Sequence, residues 1–327
     1  MMQPLTSQPA VPSVELSVVV PVYQEETALP LFMARIRPVL ERITSEYEII
    51  FSMDPGKDRT QEVIEGEIAK DSRIRLLIMT RRWGQDACMS AGLDVCLGKA
   101  CVIIDVDLQD PPELMESMYK KWKEGFEVVY AERQSREGDP IPRRIVAYLG
   151  YWLINRISEI KIPRNIGDFR LVDRKVIEGL RTLKETHGFL RGLVPYVGYR
   201  QTSILYDRAE RQSGTSKYSA IVGSVRHGLN GIVAFSSKPL TLVTVLGFIT
   251  AGISALLILA YIGTKLVLGQ ALTTGLSPIL LLVGFLGGVQ LICLGIIGEY
   301  IGRIYEEVRQ RPKYMIAQKV NFPAARV

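Results

Sequence analysis

Residues 100–106 form an apolar run that ends in acid, and the chain continues as Asp105-Val106-Asp107-Leu108-Gln109-Asp110-Pro111-Pro112-Glu113. Read as a buried strand, this run delivers two carboxylates, two residues apart, at its carboxyl edge. Alternation along a strand points Asp105 and Asp107 to the same side. Two like charges at the end of an apolar strand repel unless something neutralises them. A divalent cation would do so, and an oxygen-only ligand set suits Mg2+ or Mn2+. Such an ion can bridge a diphosphate and stabilise a departing nucleotide. The complementary chemistry is cationic. Arg133 follows a later strand-like run, and Arg143 and Arg144 open the helix after it. Guanidinium groups match phosphate with paired donors, whereas a solvated basic surface is the plain reading of any one of them. Arg208, Arg211, Gly214, Ser216, Lys217 and Tyr218 make a second basic segment. His187 and His227 have no acidic or thiol partners in the sequence, and the four cysteines lack metal spacing. The cysteines read as packing residues of a reducing compartment.

The elements that must position these groups alternate between strand and helix. Strands are expected at 16–22, 47–51, 74–79, 100–106 and 127–131. Helices are expected after 28, from 58, over 86–97 and over 111–122, the last with proline in its first turn. Leu29, Phe32, Met33, Ile36, Leu40 and Ile43 share one face of the first helix. This order predicts an α/β fold with a mostly parallel sheet covered on both faces. Ligands bind such sheets at the carboxyl ends of the strands, where the acids lie. Arg81, Gly84 and Gln85 fall after the third strand near the same edge, and Gln85 reads as a donor contact or as a loop residue. Asp54 follows the second strand, where an acid can equally form a turn or cap a helix.

The charge in this chain of 327 residues is unevenly spread. Acid and base concentrate in 1–237, while 239–264 and 270–297 are charge-free or nearly so. Each run reaches the roughly 20 apolar residues that cross a bilayer core, which predicts a two-helix hairpin with spans near 239–264 and 274–297. Residues 1–13 lack a basic leader and a cleavage pattern, so the large domain is expected on the cytoplasmic side of the plasma (inner) membrane. Arg303, Arg309, Arg311 and Lys313 follow the second span, and only Lys265 lies near the connecting loop, in keeping with positive-inside placement of both termini. The expected division is a flexible tail at 1–14, a catalytic domain at 15–215, an interfacial segment at 216–238, the hairpin at 239–302 and a basic tail at 303–327. The stretches 143–160 and 217–235 are apolar, basic and aromatic together, and read as interfacial helices or as surface helices packed on the sheet. The net charge of +6 favours an anionic partner. A membrane surface or phosphate fits better than nucleic acid, for which no motif is present. Gly284, Gly287 and Gly288 permit close helix packing, so a homo-oligomer, a tetramer among the options, is expected.

The segment 105–113 resembles the metal motif of family 2 glycosyltransferases, in the branch of dolichol-phosphate mannose synthases and bacterial polyprenyl-phosphate glycosyltransferases. Pro21-Val22-Tyr23-Gln24-Glu25-Glu26 is similar to that family's first-strand signature, and Asp54 with Asp58 and Thr60 to its second. Gly298-Glu299-Tyr300-Ile301-Gly302-Arg303-Ile304-Tyr305 resembles the end of the two-span bacterial members of the bactoprenol glucosyltransferase type. The resemblance covers nearly the whole chain. It departs at Met53-Asp54-Pro55-Gly56, where the family usually has a second acid before the aspartate. It implies a GT-A fold and a metal held by Asp105, Asp107 and Gln109. It further implies donor contacts from Pro21, Tyr23, Glu25, Asp54, Gln85, Asp105 and Val106. The lipid phosphate would meet Arg133 and Arg143 or Arg144, with Arg211 and Lys217 on a flexible acceptor loop. Gly167-Asp168-Phe169-Arg170 occupies the place of the family's catalytic base. With Asp107, Asp168 and Arg170 are the expected catalytic groups, Asp168 as base or as an orienter of an arginine or a sugar hydroxyl.

The implied reaction is inverting transfer of a hexose, foremost glucose from UDP-glucose, to undecaprenyl phosphate. Mannose, GlcNAc and aminoarabinose are the alternative sugars. A processive polysaccharide synthase would carry Gln-x-x-Arg-Trp after the base position, and this chain does not. A dinucleotide oxidoreductase needs a glycine-rich turn after the first strand, and 22–27 contains no glycine. A non-catalytic membrane scaffold has no use for paired carboxylates at a strand edge.

Overall fold

The computed structural model describes residues 14–134, 165–183, 185, 190–207, 236, 238–268 and 276–323. Its sheet has eight strands: β1 (Leu16–Val22), β2 (Tyr47–Met53), β3 (Ile74–Met79), β4 (Ala100–Ile103), β5 (Val128–Arg133), β6 (Ile166–Asp173), β7 (Gln201–Tyr206) and β8 (Ile316–Val320). Their order is β7-β5-β6-β4-β1-β2-β3-β8. Only β6 and β8 run against the other six, so the mixed sheet is mostly parallel, as expected. β1 lies between β2 and β4 and is buried along its whole length, which is why 16–22 reads as an unbroken apolar run.

Helices cover both faces. On one, α1 (Ala28–Ile43) lays Leu29, Phe32, Met33, Ile36 and Leu40 on the sheet. The Phe32 ring stands edge-on to Phe51, with centroids 6.5 Å apart. α2 (Thr60–Lys70) adds Ile64, and α4 (Leu114–Lys123) adds Met115 and Met118 to the same core. On the other face, α3 (Gln85–Val95), α5 (Arg174–Thr182) and α6 (Leu190–Tyr196) enclose a second core that includes Cys88, Cys96 and Cys101. The small residues of α3 let it lie close: a methyl group on Gly92 would overlap the Val19 side chain of β1. Asp173 caps α5, accepting from the Lys175 amide at 2.9 Å and from Trp122 Nε1 at 2.7 Å.

Two long helices follow, α7 (Lys238–Leu268) and α8 (Leu276–Val308), and they lie against each other. Tyr300 on α8 donates to the carbonyl of Ser236 at the entry to α7, 2.6 Å away. Within α8, Leu282–Val308 is long and apolar enough to cross a membrane, with a mean hydropathy of 1.9 and no part of it buried. Lys238–Ser254 is a shorter apolar segment. α8 continues past 297 because no breaker intervenes before Gln310, whose φ of 48° ends it.

Several expectations are corrected. The fourth strand stops at Ile103, where its ladders to β1 and β6 both end, and not at 106. Helix α4 begins at Leu114, after a turn in which the amides of Leu114, Met115 and Glu116 bond the carbonyls of Pro111, Pro112 and Glu113. The segment read as a basic tail, 303–327, holds the end of α8 and then β8, which pairs antiparallel with β3. The stretches 143–160 and 217–235 lie outside the described residues, as does 1–13.

Candidate active site

The acidic pair sits on a turn beyond β4 and not on the strand itself. Val106 and Leu108 enter the first core, both 3% exposed, and Asp107 between them is itself buried, so the turn does not keep a strand's alternation. Leu108 takes φ 59°, and Asp107 Oδ1 accepts the Gln109 amide at 3.1 Å. Aspartate competes for backbone donors in this way, which is why the ladder ends where the acids begin. Gln109, expected to ligate through its side chain, meets Asp107 through its backbone N–H. Val106, expected at the donor, has its side chain in the core, which leaves its backbone for that contact.

Gln85, the first residue of α3, donates from Nε2 to Asp105 Oδ1 at 2.8 Å. The loop before it is gripped from β2: buried Asp54 accepts the Trp83 amide at 3.0 Å and the Gly84 amide at 2.8 Å. Gly84 has φ +96°, a conformation that favours glycine. Asp54 therefore holds this loop through its backbone amides, a contact across the sheet edge and not a turn of its own segment. Arg82 stacks over the Tyr23 ring at 4.2 Å and Arg81 over Trp83 at 3.6 Å. The loop after β1 is tied to the one after β2, since the Glu25 amide donates to Thr60 Oγ1 at 2.8 Å and Thr60 to Asp58 at 2.7 Å. Pro21 lies within β1, level with Ser52.

The second half of the cleft comes from β5, β6, β7 and α6. The β4–β6 ladder ends with Ile103 level with Arg170, two residues from Asp105 on one strand and from Asp168 on the other. Asp168 is 9% exposed and receives two bonds from Arg191, Nε at 2.9 Å and Nη2 at 2.6 Å, with Arg170 Nη2 at 3.4 Å. Burial alone would raise the Asp168 pKa. The charge and hydrogen bonds of Arg191, with the charges of Arg170 and Arg133, outweigh it and hold the carboxyl well below its ordinary range. Arg170, expected to be catalytic, is 1% exposed. Its guanidinium bonds the carbonyls of Gly167 at 2.9 Å, Asp168 at 3.2 Å and Leu190 at 3.3 Å, and so braces the loop.

Arg133 ends β5 level with Tyr206 of β7, and its Nε is buried with no hydrogen-bond partner among the described residues. Tyr206 donates to Asp110, which ties the acidic turn to the basic side; burial and the Asp110 carboxylate push the phenol up to about 12. Arg191 and Tyr206 escaped the sequence reading. Neither stands in a motif, and each joins the site only through a partner 23 or 96 residues away. Arg143, Arg144, Arg211 and Lys217 lie outside the described residues. Among the described residues, no cluster of three or more His, Cys, Asp or Glu has the geometry of a metal site. What stands there is a pair of carboxylates.

Residues 17–181 match the model of the family described as glycosyl transferase family 2. The chain belongs to this family. An uncharacterized glycosyltransferase of Synechocystis is 41% identical to it over 93% of this chain and 95% of its own length. The bactoprenol glucosyl transferase of Shigella phage SfII is also 41% identical, over 92% of this chain and 97% of the relative. Among solved structures, a mannosyltransferase from Pyrobaculum calidifontis in complex with GDP-Man and Mn2+ superposes with a TM-score of 0.46 at 16% identity, covering 68% of this chain and 64% of that one. The acids of this glycosyltransferase follow the carboxyl end of β4, and Arg133 stands at the carboxyl end of β5.

Proposed function

We propose that this glycosyltransferase moves a glucosyl unit from UDP-glucose to undecaprenyl phosphate, inverting the anomeric carbon, at the cytoplasmic face of the plasma membrane. The observation that carries the reading is the Tyr206–Asp110 bond, which joins the acidic turn of Asp105 and Asp107, where Gln85 holds Asp105, to the strand level of Arg133, beside the Asp168–Arg191 pair. Two carboxylates fit a divalent ion that takes its remaining ligands from phosphate and water, as Mg2+ characteristically does, and Mn2+ accepts the same oxygens. Such an ion, when bound, would neutralise charge on the leaving diphosphate. Asp105 and Asp107 would hold it, and Gln85 fixes the orientation of Asp105.

On the acceptor side, one buried carboxylate faces three arginines, which leaves positive charge for a phosphate. A phosphate monoester has its second pKa near 6 and arrives as a nucleophile already ionised. No general base is required, and Asp168, locked in its ion pair, serves to aim Arg191. The phosphate oxygen attacks C1 of the sugar as the bond from C1 to the diphosphate oxygen breaks, and the electron pair leaves with the nucleotide. Arg133 and Arg191, with Arg143 or Arg144 and with Arg211 and Lys217 from the neighbouring segments, are the groups assigned to the phosphate. Proximity supplies much of the acceleration, because both substrates are held at one surface.

The membrane side of the proposal rests on exposed apolar surface. Phe248 and Leu256 on α7, and Phe285 and Leu291 on α8, are more than half exposed, a pattern that an aqueous surface does not favour. We assign both helices as spans, with the catalytic domain and both termini cytoplasmic, and the copies of the chain associating through them. The test is transfer from a panel of labelled nucleotide sugars to undecaprenyl phosphate in detergent, with and without EDTA. The expected result is EDTA-sensitive lipid label from UDP-glucose. Label from another donor alone would overturn the sugar, and insensitivity to EDTA would overturn the metal.

A further inference from the structure

After α8 the chain returns to the sheet and is fastened along its way. Lys313 Nζ donates to the carbonyl of Leu183 at 3.0 Å, and Tyr314 donates its phenolic proton to Asp94 Oδ2 at 2.6 Å. The Thr80 amide bonds the Met315 carbonyl at 3.0 Å, and β8 then pairs with β3 from Met79 back to Leu76. Asn321, at φ 59°, closes the run by donating from Nδ2 to the carbonyls of Ser72 at 2.8 Å and Ile74 at 2.7 Å. The Phe322 ring lies under Arg75, 5.5 Å from centroid to guanidinium. Tyr314, Ile316 and Phe322 pack against the second core. Fixing ten residues of extended chain costs backbone entropy that an ordinary tail does not bear.

Covering the free edge of β3 accounts for β8 itself. It does not account for where the outer fastenings land. Thr80, bonded to Met315, opens the loop 80–84 whose amides Asp54 grips, and the next residue, Gln85, bonds Asp105. Asp94, bonded to Tyr314, stands at the other end of α3, the helix that Gln85 begins. Loop 80–85 and its helix are thus held from β2 on one side and from the segment leaving α8 on the other. We propose that residues 313–322 are a positioning strap, through which the membrane helix α8 sets loop 80–85 against Asp105, with Tyr314 as its positioning residue and Asn321 as the anchor of its far end at the start of β3. The proposal rests on the reading of Asp105 and Gln85 as the donor side.

The test uses the full-length chain with Tyr314→Phe, Asn321→Ala and the pair together. Amide hydrogen exchange at Trp83 and Gly84 is read against the amides of β1. Alongside it, KM is measured separately for the nucleotide sugar and for the lipid phosphate. The expected result for the double variant is exchange at Trp83 and Gly84 faster by about tenfold, the scale of one lost hydrogen bond, with β1 unchanged. Donor KM rises by a similar factor, while kcat and lipid KM stay within about twofold. Unchanged exchange in the loop overturns the strap. So does a loss that spreads equally to β1 and to both KM values, since that is general loosening. If the intact chain transfers no sugar to lipid, the assigned reaction fails on its own, and the exchange experiment still decides whether the strap holds the loop.

Discussion

At the scale of single residues, the decisive group is Asp168. A carboxyl held below its ordinary range by Arg191, Arg170 and Arg133 is ionised throughout the working range and cannot supply an acid limb near neutrality. Because its folded pKa is depressed, its contribution to stability is fully present above the unfolded value of about 3.9. That contribution is lost only as pH falls through the lower folded value. The acid limb of kcat/KM should instead lie near pH 6, set by the lipid phosphate, and should persist unmoved in Asp168→Asn. That variant should lose about tenfold in kcat/KM through Arg191, mainly in KM for the lipid. A pH–rate profile of both proteins checks this, and an acid limb that vanishes in the variant would return Asp168 to the role of base. Arg170 follows the same logic in reverse: a guanidinium buried to 1% and bonded to three carbonyls is a brace, whatever motif it stands in.

At the scale of elements, the sheet was largely legible because its signals are local. The mainly apolar runs expected as strands at 16–22, 47–51 and 74–79 belong to strands buried on both faces, with Glu48 and Arg75 paired between the second and third, and the face of α1 follows from spacing alone. What was not legible depends on contacts between distant segments. The end of β4 is set by its partners and by Asp107 turning back on Gln109, and β8 is a five-residue edge strand, Ile-Ala-Gln-Lys-Val, with no strong pattern of its own. The close seat of α3 on β1 rests on Gly92, where a side chain would run into Val19 and come within 3.1 Å of Ser52 Oγ. Gly92→Ala should therefore destabilise by about 1–3 kcal/mol, the usual cost of overpacking, measured as a shift in the denaturant midpoint. No shift would mean that α3 can rise off the sheet freely, and that its hold on Gln85 is looser than described.

At the scale of the whole molecule, a sheet with its chemistry at the carboxyl ends of its strands is followed by long apolar helices, and the chain after α8 runs back into that sheet beside the carboxyl end of β3. On the proposed function, this arrangement would keep the donor site beside a substrate held in the bilayer. It also explains why the acidic turn and the arginines come from segments so far apart in sequence: Tyr206 bridges to Asp110, and Arg191 to Asp168, only once β5, β6 and β7 have closed beside β4. The claim that this cleft transfers sugar to a lipid phosphate is tested most directly by one comparison. Labelled UDP-glucose and undecaprenyl phosphate are given to the intact protein and to Asp107→Ala of matched thermal stability, and the label extracted with the lipid is followed in time. The account predicts lipid label from the intact chain and at least about a hundredfold slower transfer in the variant, the scale of losing transition-state charge stabilisation. Lipid label at equal rates in both, or in neither, would contradict it.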